Sequence, residues 1–88
     1  MRIEHIRKNF TKVSTKNAMF IVSYQTPVVI HTWQHLQHKG IDYPSGLYVT
    51  DQFHSVTTSA HINQYLGHPY QEEQRMPQEF INRLFEEV

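Results

Sequence analysis

The run Ala18–Trp33 constrains this chain more than any other stretch. A-M-F-I-V-S-Y and V-V-I-H-T-W are dense in β-branched and aromatic residues, which suit a pleated surface better than a helix. Gln25-Thr26-Pro27 separates them, without the Gly or Asn that a tight hairpin uses to reach φ > 0. The favoured expectation is one long strand, bent or bulged near Pro27, with that residue at a sheet edge; two separate strands are the alternative. Gly46–Thr50 is the next strand, with Leu47 and Val49 on one side and Tyr48 and Thr50 on the other.

A sheet with one apolar face needs a cover, and two helices can supply it. In Ser55–Gly67, Thr57, Thr58 and Ser59 offer oxygens to a helix start. Ile62, Tyr65 and Leu66 make an apolar stripe, Gly67 is a left-handed stop, and Pro69 follows. Pro77 suits the first position of a last helix, where Phe80, Ile81, Leu84, Phe85 and Val88 repeat on one face. Glu79 and Arg83 are spaced as an i, i+4 pair. The expected fold is α+β: a small antiparallel sheet of two to three strands, covered on one face by helices 58–66 and 77–87. In Met1–Thr15 the spacing of Ile3, Ile6, Phe10 and Val13 suits a short amphipathic helix, and the Thr and Val content equally suits a strand. Gln34–Ser45 reads as a long polar loop, and His68–Arg75 as a linker or a first helical turn.

The chain has 88 residues, which makes one domain over 1–88 with a small core. Hydrophobic content of 39% argues against disorder. Absence of cysteine excludes disulfides and thiolate metal sites. No apolar run approaches a membrane span and no secretory signal is read, so a cytoplasmic location is expected. Charge sums to zero but is uneven. Residues 1–16 hold Arg2, Arg7, Lys8, Lys12 and Lys16 against Glu4; the tail from Tyr70 holds Glu72, Glu73, Glu79, Glu86 and Glu87 against Arg75 and Arg83.

Histidine is the unusual residue. His31, His35 and His38 have H-x3-H-x2-H spacing, which on a helix could hold zinc; in a strand end and loop it reads as polar surface. His61 with Ser55, Thr57 or Ser59 lacks the elbow and third member of a nucleophilic triad. Neither a catalytic signature nor a cofactor motif is found, and no metal ligand set is assigned. Trp33, Tyr43, Tyr48 and Tyr70 are aromatic candidates for a binding surface.

Ser23–Val29 (S-Y-Q-T-P-V-V), Leu47–Thr50 (L-Y-V-T) and Phe53–Leu66 (F-H-S-V-T-T-S-A-H-I-N-Q-Y-L) carry a resemblance. The pattern is similar to that of small, mostly uncharacterised proteins of bacteriophages and mobile elements, over roughly half the chain. The resemblance implies a non-enzymatic accessory protein that binds a host protein, such as a defence nuclease, in the manner of an anti-CRISPR inhibitor. Glu72, Glu73, Glu79, Glu86 and Glu87, with Tyr43, His35 and His38 of the 34–45 loop, would form that surface. The alternative is a small nucleic-acid-binding regulator using Arg2, Arg7, Lys8, Lys12 and Lys16. Amphipathic helices on a small core also allow a homodimer.

Overall fold

A computed structural model describes residues 2–52, 54–67 and 74–87, with the side chain of Arg7 outside the description. In chain order the described elements are β1 (Arg2–Arg7), β2 (Phe10–Ser14), β3 (Ala18–Ser23), β4 (Thr26–Thr32), β5 (Leu36–His38), β6 (Ile41–Tyr43), β7 (Gly46–Thr50), α1 (Val56–Leu66), β8 (Arg75–Met76) and α2 (Gln78–Glu86). One sheet has six strands in the order β1-β2-β3-β4-β7-β8; β5 and β6 form a separate hairpin. All neighbours are antiparallel except β7 and β8.

This corrects the expected two- to three-stranded sheet and its one-sided cover. The sheet is large for so short a chain, for three physical reasons. The first segment is not a helix: its Thr and Val content wins, and Lys8-Asn9 turns β1 back onto β2, with Asn9 at φ 60°. The Ala18–Trp33 run is two strands, because Tyr24 itself takes φ 58° and closes the hairpin without Gly or Asn. Finally, β8 adds a short parallel edge. β4 is an inner strand, but Pro27 lies beyond the stretch that β7 pairs; it faces Val22 of β3 beside a register shift and has no strand partner on its β7 side, so its missing N–H removes no bond to β7.

Both faces of the sheet are covered. Every residue of β3 is buried, the mark of a strand sandwiched on both sides rather than alternating in and out. Met19 and Ile21 join Phe10, Val28, Val29 and Val49 under α1, whose Ile62, Tyr65 and Leu66 deliver the stripe read from sequence. Ala18, Phe20 and Val22 join Val13, Ile30 and Tyr48 on the opposite face, under Phe80, Ile81, Leu84 and Phe85 of α2. Here the β5–β6 hairpin completes the cover with Leu36 and Tyr43. The 34–45 segment is therefore a hairpin rather than a polar loop, turned by Lys39 and Gly40 at φ 50° and 80°.

Candidate functional site

Three polar clusters hold the helices and the small hairpin to the sheet, and each uses a residue type that could also carry chemistry.

The first lies under α1. Ser55, not Thr57, Thr58 or Ser59, caps the helix: its side chain accepts from Thr58 N at 3.0 Å. Its hydroxyl donates to Thr58 Oγ1 at 3.1 Å; Thr58 Oγ1 lies 3.0 Å from Ser23 Oγ, which lies 2.8 Å from His61 Nδ1. Donation running from Ser55 through Thr58 and Ser23 into His61 Nδ1 satisfies each hydroxyl in turn. The imidazole stacks on Phe10, centroids 4.6 Å apart. A serine oxygen on an imidazole nitrogen is the geometry of an activated nucleophile, but Ser23 is 2% exposed and Thr58 closes its other side. The cluster fastens α1 to the end of β3. Ser23 lies 38 positions from His61, so no local motif could reveal the pair.

The second cluster centres on Gln78, the first residue of α2. Its Oε1 accepts from Thr50 Oγ1 at 2.5 Å and lies 2.8 Å from His54 Nε2; its Nε2 donates to Pro27 O at 2.7 Å and Asn82 Oδ1 at 2.9 Å. The backbone N–H of Gln78 donates to Asp51 Oδ1 at 3.2 Å. One buried amide thus joins β4, β7 and α2.

The third cluster docks the β5–β6 hairpin on α2. The His38 ring stacks on Phe80 at 4.3 Å, with Arg83 Nη2 3.3 Å from its Nδ1. Lys39 Nζ donates to Glu79 Oε1 at 2.9 Å, so Glu79 turns to Lys39 and Arg83 to His38 instead of to each other. The Lys39 hydrogen bond and then its charge hold the Glu79 carboxyl below its ordinary range. Asp42 is lowered too, first by the hydrogen bond from Gln37 and then by His35. Burial pushes the phenols of Tyr43 and Tyr48 up.

The structure scatters the residues singled out from sequence. Tyr43 is 5% exposed and His38 8%, both taken up by the core. His31 is on β4 with its ring edge-on to Trp33, His35 is exposed 3.5 Å from Asp42, and His38 faces α2. Among the described residues, no three His, Cys, Asp or Glu side chains converge as a metal site. Glu72 and Glu73 lie outside the described residues. Glu86 and Glu87 are exposed at the end of α2. Arg2, Lys8 and Lys12 lie along the β1–β2 hairpin with the backbone of Arg7, and Lys16 in the turn after it. Lys16 and Glu87 flank one cavity of about 310 Å³ floored by Phe20, Ile30, Leu36 and Leu84, so the two opposite charges face the same space.

A feature that sequence reasoning missed is the turn at Tyr24. A bulky residue at φ 58° is strained, and its ring is 51% exposed instead of buried. Its N–H donates to Asn9 O at 2.8 Å, which ties the β3–β4 turn to the β1–β2 turn, and the ring tilts against His61 at 6.3 Å. On the other side, Gln25 and Thr26 share a cleft of about 260 Å³ with Asn82, Phe85 and Glu86. Gln25, next to Tyr24, therefore neighbours the acidic end of α2, while the Tyr24 ring lies towards His61 of α1.

Residues 1–83 match the protein family described as "Family of unknown function (DUF8033)". The chain belongs to this family. The match spans the β1–β2 hairpin, all three polar clusters and Tyr24, and ends before Glu86 and Glu87. The family description gives no activity. No curated protein and no solved structure matches the chain. Among the described residues, no helix is long and apolar enough to cross a membrane.

Proposed function

We propose that the chain is a binding module that acts by protein–protein contact, with Tyr24 as its anchor. The observation that supports this reading is the strained, half-exposed tyrosine. Hairpin turns that need φ > 0 select Asn, Asp or Gly, and strain kept against that preference collects where a residue does something other than fold. Tyrosine is among the side chains that dominate interfaces, because it offers a rigid ring and a polar tip. Glu86 beside the same turn, at the negative end of the α2 dipole, adds a preference for a cationic group. The partner that fits is a protein surface presenting Lys or Arg next to an apolar contact.

The test uses the full chain with a photoreactive residue at position 25, with and without Tyr24→Asn. Asn is at home at φ 58°, so the variant folds as well as the wild type or better. A cross-linked protein band that Tyr24→Asn abolishes and Glu86→Arg weakens supports the reading. A band set that neither substitution changes overturns it. A second reading rests on the exposed Arg2 and Lys8, the half-buried Lys12 and the exposed Lys16, strung along one hairpin and its turn. It requires nucleic-acid binding that falls steeply with salt.

A further inference from the structure

Among the described residues, the outer edge of the six-stranded sheet is β1, whose neighbour in the sheet is β2 on one side only. Its residues are exposed from Arg2 to Ile6, including Ile3 at 56% and Ile6 at 41%. An unpaired edge is a template for another strand, and proteins block it with charged side chains, proline or a bulge. Here β1 has a register irregularity between His5 and Arg7, which leaves Arg2–His5 as the regular stretch. Within that stretch the charges are not alike. Arg2 and Glu4 alternate on one face, opposite Ser14 and Lys12, with Arg2 Nη2 3.8 Å from Glu4 Oε1. Ile3 and His5 occupy the other face, opposite Val13 and Thr11.

We infer that β1 is a self-complementary edge whose occupant is β1 of a second copy. In an antiparallel pair of identical strands, a two-fold axis normal to the sheet places one residue opposite itself, and neighbours at equal offsets face each other. With the axis at Ile3, Arg2 of each copy lies opposite Glu4 of the other, and Ile3 lies against Ile3. Both ion pairs fall on one face and the apolar pair on the other, which are the cross-strand contacts that stabilise antiparallel sheets. A register centred on Glu4 sets two carboxylates against each other, and one centred on His5 runs into the irregularity. The ordering Arg-Ile-Glu therefore selects one register, and the two sheets join edge to edge in a closed dimer. The pairing is short, so the dimer is weak and concentration-dependent. The surface involved is separate from the Tyr24 turn, so this inference stands independently of the proposed function.

Sedimentation of the full chain over a concentration series at low salt tests the inference. The wild type should shift from monomer toward dimer as concentration rises, and added salt should reverse the shift. Arg2→Glu and Glu4→Arg each place like charges across the axis and should abolish the dimer. The double variant Arg2→Glu/Glu4→Arg restores complementarity and should recover it. All these side chains are exposed, so the variants keep the wild-type circular dichroism and melting point. Since the chain has no cysteine, Ile3→Cys adds a unique thiol that should cross-link into a disulfide dimer on mild oxidation. A wild type that stays monomeric throughout, an Ile3→Cys chain that stays monomeric on oxidation, or a dimer indifferent to the single charge reversals overturns the proposal.

Discussion

Gln78 uses both ends of its amide inside the protein. Its Oε1 takes Thr50 and lies within bonding reach of His54, and its Nε2 holds Pro27 O and Asn82. Gln78→Leu keeps the volume but leaves buried Thr50 and the Pro27 carbonyl without their partner. Each abandoned buried group costs about 1–3 kcal/mol. The expected loss is about 3 kcal/mol, a fall of more than ~10 °C in Tm for a chain of this size. A melt within ~2 °C of wild type sinks the claim. Gln78→Glu separates hydrogen bonding from packing. A carboxylate cannot donate to Pro27 O, and burial raises its folded pKa above the unfolded value. Protonation restores the donor, so this variant's deficit should shrink on acidification while that of Gln78→Leu does not. Tyr24 works in the opposite sense. Its φ of 58° opposes folding, and Tyr24→Asn should relieve about 1 kcal/mol, read as a Tm at least as high as wild type in calorimetry. A fall of more than ~4 °C would show that the ring is needed for the fold and not for a partner.

At the scale of elements, charge and packing together hold the β5–β6 hairpin on α2. Lys39 reaches Glu79 of α2, and His38 lies between Phe80 and Arg83. The Glu79 carboxyl titrates below its ordinary value, so its contribution is complete above the usual carboxylate range and is lost as pH falls through the lowered one. Amide exchange in β5–β6 should therefore accelerate, as pH falls below the usual carboxylate range, ahead of β3 and β4, and Lys39→Met should remove the difference. Equal acceleration in all strands would mean that the Lys39–Glu79 contact does not control this docking. The hairpin also shows what the sequence could have revealed. Lys39-Gly40 between Leu36-Gln37-His38 and Ile41-Asp42-Tyr43 is a turn flanked by alternating residues, hidden by the polarity around it. The strand β7 and the apolar stripes of both helices were legible, because local periodicity decides them. The strand count was not. Tyr24 occupies a turn position where Gly or Asn is expected, and β8 gains its place from pairing with β7 and from Met76 in the core, both long-range contacts. The polar clusters were invisible for the same reason: Ser23–His61, Pro27–Gln78 and Arg83–His38 join residues 38, 51 and 45 apart.

For the whole molecule, the arrangement is one sheet with a core on each face, and β3 belongs to both. Met19 and Ile21 pack under α1 while Ala18, Phe20 and Val22 pack under α2. Because alternate residues of a single strand serve the two cores, neither face can lose its packing while the strand stays in place for the other. The chain should unfold as a unit, although its helices lie on opposite sides. Ile62, 6% exposed, stands for one core, and Ile81, fully buried, for the other. Ile62→Ala and Ile81→Ala should each cost about 3 kcal/mol through lost burial and the cavity left behind. A domain of 88 residues has a total stability of roughly 4–13 kcal/mol, so either change is a large fraction of it. The two sites are on opposite faces of the sheet, and the double variant should lose the sum. Urea unfolding followed by far-ultraviolet circular dichroism, which reports the helices, and by fluorescence of Trp33, the sole tryptophan, distinguishes the cases. Trp33 is tied to the turn before β3, where its Nε1 donates to Lys16 O at 3.1 Å, so it reports the sheet. Coincident midpoints in the wild type and both single variants are expected. If Ile81→Ala moves the helical signal to lower urea and leaves the Trp33 transition where it was, the two faces are independent and the shared strand does not couple them.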